Sequence, residues 1–97
     1  MAISGAMTRG KVSVTATVSA ELGNTDVTVQ RPFVFQNRGS DRVYIGFNGE
    51  AAVADEGFNL IANESVSSED LPKAARQGPF TFICAATETA DLYYQFF

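Results

Sequence analysis

The chain has 97 residues, 7 basic against 11 acidic, a formal net charge of −4, one cysteine and no histidine. That length fits one domain, and a hydrophobic content of 45% is enough for a single core, although so small a domain buries little of its surface alone. The deficit of Lys and Arg argues against nucleic acid and against an anionic membrane surface as partners; the lone Cys84 rules out an intrachain disulfide; and no apolar run approaches the roughly 18 residues of a membrane helix.

Residues 1–10, MAISGAMTRG, are small and aperiodic and read as a flexible arm, leaving 11–97 as the folded domain. They contain no continuous apolar stretch, so no secretory signal is expected and synthesis in a reducing cytoplasm is. From Lys11 the pattern changes. Val12, Val14, Ala16, Val18 and Ala20 alternate with polar residues, the period of a half-buried antiparallel strand. ELGNTD (21–26) reads as a turn, after which Val27, Val29, Phe33 and Phe35 share a face that Arg31 and Pro32 interrupt.

QNRGSD (36–41) reads as a further turn, followed by a strand in RVYIGF (42–47) with Val43, Ile45 and Phe47 on one side. NGEAAVADEG (48–57) is polar and Ala-rich, and is expected to cross between sheets or form an exposed loop. FNLIA (58–62) and ESVSSED (64–70) read as short strands around Asn63. LPKAARQG (71–78) connects to PFTFICAA (79–86), the most apolar strand, and TET (87–89) turns into ADLYYQFF (90–97). Six to eight short strands with turns between them, and no sustained helical period, predict an all-β single-domain antiparallel sandwich or small jelly roll.

Chemistry is hard to find in these residues. The usual catalytic base is missing because there is no histidine, and Cys84 lies in an apolar run where a thiol stays protonated. The adjacent carboxylates Asp55–Glu56 and Glu69–Asp70 fall in loop-like stretches and read as solvated. No calcium-loop spacing, zinc ligand cluster or phosphate loop is present, and NRGSDR (37–42) reads as a hairpin turn rather than an anion nest. The expectation is a non-enzymatic chain with no cofactor and no metal.

The aromatic residues do give a direction. Phe33, Phe35, Phe47, Phe80 and Phe82 keep the phase of a core, whereas Tyr44, Tyr93 and Phe97 fall on the opposite faces of their strands. In DLYYQFF (91–97), Leu92, Tyr94 and Phe96 alternate with Tyr93, Gln95 and Phe97, so both faces carry aromatics. An interface with another subunit would cover the second face, and Tyr44, Tyr93, Gln95 and Phe97 are its candidate residues.

VFQNRGSDRVYIG (34–46), GFNLIANESVSSEDL (57–71) and FTFICAATETADLYYQFF (80–97) together resemble a family of small bacteriophage virion proteins. In that family a short polar turn leads into a "vyIG" strand, a "GF-x-L-x-A-x-E-S" segment follows, and an "aaT-x-TAD" hairpin closes the chain. Two features depart from the pattern: the loop 48–57 is not Ser/Thr-rich, and Asn63 stands where glycine is expected. The resemblance implies a β-sandwich component of a phage particle: a capsid decoration protein bridging major capsid subunits, or a head–tail, tail or head-fibre accessory. It implies homo-oligomers, with trimers fitting a capsid lattice, and a place in the virion after synthesis in the host cytoplasm. A small receptor- or carbohydrate-binding module is the alternative expectation.

Overall fold

Strands form where the side chains on at least one face can leave water together, and seven such segments stand among the described residues. A computed structural model of the chain describes residues 8–19, 32–76 and 79–97. The strands are β1 (Thr8–Val14), β2 (Phe33–Asn37), β3 (Val43–Gly46), β4 (Asn59–Leu60), β5 (Ser65–Ser67), β6 (Thr81–Ile83) and β7 (Ala90–Phe96). They build two antiparallel sheets, in the orders β1-β7-β2-β5 and β4-β3-β6. The chain is all-β, and among the described residues the helical pieces are single 3₁₀ turns at Ser68–Asp70 and Lys73–Ala75.

Several sequence expectations shift. The first strand begins at Thr8, so residues 8–10 belong to the sheet rather than to an arm. It also ends earlier than the alternation suggests. After Val14 the backbone bends and crosses to the second sheet, where the Cys84 N–H donates to the Thr15 carbonyl (2.8 Å) and the Ser19 N–H to the Phe82 carbonyl (2.9 Å). Segment 15–19 therefore flanks β6, and the second layer reads 15–19, β6, β3, β4. The turns 38–42 and 84–89 are not hairpins, because β2 and β3, and likewise β6 and β7, lie in different sheets. Among the connections between described strands, β3 to β4 joins neighbours in one sheet and β1 to β2 returns to the sheet it left through segment 15–19; the other four pass from layer to layer, as in a jelly roll. Residues 1–7, the turn 21–26, Val27, Val29 and Arg31 lie outside the described residues.

Between the layers sits a cluster of phenylalanines. Phe33, Phe35, Phe80, Phe82 and Phe96 are each at most 2% exposed. The Phe33–Phe35 rings stack at 4.5 Å, Phe35–Phe80 and Phe35–Phe82 meet edge-on at 5.1 and 5.4 Å, and Phe80–Phe96 stack at 5.9 Å. These spacings satisfy the ring quadrupoles as well as filling volume. Val14, Val43, Leu60, Cys84 and Leu92 complete the centre.

One buried polar residue organises a whole end of the sandwich. Asn37 is 0% exposed. Its side-chain nitrogen donates to the Asp41 carbonyl (2.7 Å) and the Leu60 carbonyl (2.9 Å), and its side-chain oxygen accepts from the Gly39 N–H (2.9 Å). Its own N–H donates to the Glu64 carbonyl and its carbonyl accepts from the Asn63 N–H. Asn63 has a φ of 65°. Glycine and asparagine are the residues that adopt this left-handed conformation at low cost, which accounts for asparagine at a position where glycine was expected.

Candidate interaction face

A two-layer sandwich has two outer faces, and this chain treats them differently. On the second sheet the outward positions are Tyr44, Gly46, Thr81 and Ile83. Residues 50–55 fold across them as a roof. The Ala52 N–H donates to the Thr81 hydroxyl (2.8 Å), which in turn donates to the Glu50 carbonyl (3.1 Å). Gly46 makes this approach possible: a β-carbon there would collide with the Glu50 carbonyl and stand 2.6 Å from the Ala52 nitrogen. Tyr44, Ala52 and Ile83 form a second small apolar cluster beneath the roof, with Ala54 against it.

Tyr44 is consequently not an open interface residue. Alternation places it on an outer face, but its own chain covers it, leaving it 7% exposed. Its hydroxyl donates to Asp55 Oδ1 at 3.0 Å. Burial raises the Tyr44 pKa above its ordinary 10.0, and the neighbouring Asp55 carboxylate pushes the same way against a smaller opposite pull from Arg42. The carboxylate pairs singled out in the sequence have structural uses too. Asp55 accepts from Tyr44, and Asp70 accepts from the Ser67 N–H (2.9 Å), closing a 3₁₀ turn.

The outer face of the four-stranded sheet has no such roof among the described residues. β7 contributes Asp91, Tyr93 and Gln95; β1 contributes Arg9, Lys11 and Ser13; β2 contributes Val34 and Gln36. Register sets the rows: Arg9, Gln95 and Val34 stand side by side, as do Lys11, Tyr93 and Gln36. Val34 is 36% exposed, Tyr93 39% and, just past the strand, Phe97 37%. The two-faced pattern of DLYYQFF is therefore real: Leu92 and Phe96 are buried in the core, and Tyr93 and Phe97 face outward. Arg38 reaches back over Tyr93, its guanidinium carbon 5.0 Å from the ring centroid, a cation–π contact.

Between β1, β7 and β2 this face holds a shallow depression of about 530 Å³, with Arg9 and Lys11 on one bank and Val34 and Gln36 on the other. Gly10, between the two cations, has its β-position on the inner side, where the Tyr94 ring lies across it; a β-carbon there would come within 2.8 Å of the ring carbon that bears the Tyr94 hydroxyl. The charge here runs against that of the chain. Arg9 and Lys11 on β1, Arg38 just past β2 and Asp91 on β7 place three of the seven basic residues and one of the eleven acidic residues around Tyr93, so this part of the face carries +2 while the remainder of the chain carries −6.

Arg9, Lys11, Val34, Gln36 and Arg38 were not evident as site residues from sequence. Their phase within each strand was readable, but their meeting around Tyr93 depends on β7 lying between β1 and β2. No three or more His, Cys, Asp or Glu side chains are grouped to hold a metal ion among the described residues. Cys84 is fully buried, its thiol pushed up from 9.0 to about 11 by burial, with the Asp41 and Glu88 carboxylates adding to the shift. No protein-family model, curated protein or solved structure matches the chain.

Proposed function

We propose that the chain is a non-enzymatic structural protein of a virion, a capsid decoration subunit that docks through the outer face of its four-stranded sheet. The observation that carries this reading is the asymmetry of the sandwich: one outer face is closed by the chain's own loop, whereas the other is uncovered among the described residues, aromatic and locally opposite in charge to the rest. Tyrosine, arginine and apolar side chains around a depression are the composition of a contact surface.

Its size sets the strength. Strands of seven, seven, five and three residues, set about 4.8 Å apart, give a face of roughly 360 Å², less than the roughly 800 Å² per partner of a stable pairwise complex. One docking event is therefore weak, and occupancy depends on self-association, trimers being the form that suits a capsid lattice, and on many equivalent sites. A protein that binds assembled capsid subunits and not free ones stabilises the shell by mass action.

The test is twofold. Light scattering after size exclusion is expected to give an oligomer for the intact chain and a folded monomer for Tyr93→Ser with Phe97→Ser. Mass spectrometry of particles from the encoding virus is expected to find the chain in stoichiometric amount; absence from particles would reject the reading. Tyr93 between the Gln36 and Gln95 amides also fits a sugar ring stacked on the phenol, so a carbohydrate-binding module is the second reading. A glycan array on which Tyr93→Ala abolishes signal would favour it.

A further inference from the structure

We propose that β1 is a docking edge for an extended acidic segment of the partner, which adds to the four-stranded sheet as a fifth strand. This rests on the assembly reading above and names the chemistry of its contact.

The edges of the two sheets are unequal. β5 has three residues and β4 two, short enough to be poor templates. β1 has seven, pairs with β7 along its whole length, and has no strand on its other side among the described residues. Every second residue of β1 therefore turns its N–H and carbonyl away from the sheet, over about 24 Å. A strand laid there gains main-chain hydrogen bonds whatever its sequence, and its side chains decide which strand is accepted.

Those side chains are specified by β1. Arg9 and Lys11 are exposed and point to the outer face, so the incoming residues opposite them lie within cross-strand reach and are best acidic. On the inner side the Tyr94 ring already covers Gly10, and Val12, one residue beyond Lys11, is half-buried at the flank of the core. An apolar residue there completes the core's edge. The accepted segment is extended, with acidic residues opposite Arg9 and Lys11 and an apolar residue opposite Val12. The local +2 of this face, on a chain of net −4, steers such a segment toward this edge.

Basic residues on an edge strand have a second use, as guards against edge-to-edge aggregation, and the experiment separates the two. The probe is a blocked seven-residue peptide alternating glutamate and valine, with a lysine–valine peptide as control. Affinity is measured by fluorescence anisotropy and location by amide shifts in nitrogen-15 spectra of the full chain. The glutamate peptide is expected to bind at least about tenfold tighter than the lysine peptide, to move the amides of residues 9–13, and to weaken as salt is raised. Arg9→Glu with Lys11→Glu is expected to reverse the preference without changing the fold seen by circular dichroism.

Equal affinity for the two peptides, no binding of either, or shifts confined to Tyr93 and Val34 would overturn the proposal. So would dimerisation of Arg9→Ser with Lys11→Ser in the absence of peptide, together with unchanged glutamate-peptide binding, because the cations would then be guards only. If the edge fails while Tyr93→Ser with Phe97→Ser still breaks the oligomer, the assembly reading stands and only the strand-addition step falls.

Discussion

Replacing Asn37 with alanine tests the account of the sandwich end most directly. The substitution removes three side-chain hydrogen bonds and strands the Gly39 N–H and the Asp41 and Leu60 carbonyls. Only the bond to Leu60 is fully buried; the other two are partly reached by solvent, so water recovers some of their loss. A buried orphan costs about 1–3 kcal/mol and each replaced hydrogen bond about 0.5–1.5, which puts the total near 2–6 kcal/mol. A domain of this length has roughly 5–15 kcal/mol of stability in all. The midpoint of urea unfolding, followed by far-ultraviolet circular dichroism, should fall sharply with an unchanged slope. The thermal midpoint should drop by about 10 °C or more.

Asn37→Asp sharpens the test. It keeps the shape but turns an oxygen toward two carbonyls, so the ionised form is disfavoured and its folded pKa is raised above the unfolded value of about 3.9. Stability from the protonated form is present below that value and is lost as pH rises through the folded pKa. The aspartate variant should therefore gain on the alanine variant near pH 4 and lose to it near neutrality. A loss below about 1 kcal/mol for Asn37→Ala, or the opposite pH trend for Asn37→Asp, would refute the role given to this residue.

Gly46→Ala forces a β-carbon into the backbone of residues 50–52 and should cost about 1–3 kcal/mol, with proteolytic cleavage in 50–57 rising as the roof lifts. Cys84 should react with a disulfide reagent far more slowly in the native chain than in denaturant. Because its folded pKa is raised from 9.0 to about 11, the stability it contributes is present below pH 9 and lost as pH rises toward 11, and Cys84→Ala should flatten that part of the profile. Tyr44→Phe removes the hydrogen bond to Asp55 and should mobilise the roof in hydrogen exchange while leaving the phenylalanine core protected.

The layered character of the fold was legible because the pleat has a period of two. Phe33, Phe35, Phe80 and Phe82 keep that phase, and all four are buried as expected. What a turn sequence does not encode is the sheet that the next strand joins. QNRGSD and TET reverse the chain locally, yet both lead across the sandwich, because the apolar faces on either side have to meet each other rather than lie side by side. The alternation Val12 to Val18 likewise runs through a sheet-to-sheet crossing, and Val18, in phase with Val14, ends 38% exposed. The candidate site divides in the same way. Tyr93 and Phe97 were legible from their own strand. Tyr44 was misjudged because its cover comes from a loop whose small residues fit over Gly46, a contact that no local pattern announces.

The place of β7 has a consequence for how the protein is made. It is the last described strand in chain order, yet it lies inside its sheet, hydrogen-bonded to β1 on one side and β2 on the other, with Phe96 level with both Thr8 and Phe33. Until it arrives, the first sheet has no centre, and β1 waits some 80 residues of synthesis for its only described partner. Closure over so long a loop is slow, and the unfilled slot between β1 and β2 is sticky in the meantime. Truncations that spare everything up to residue 89 should therefore yield insoluble chain rather than a shortened sandwich.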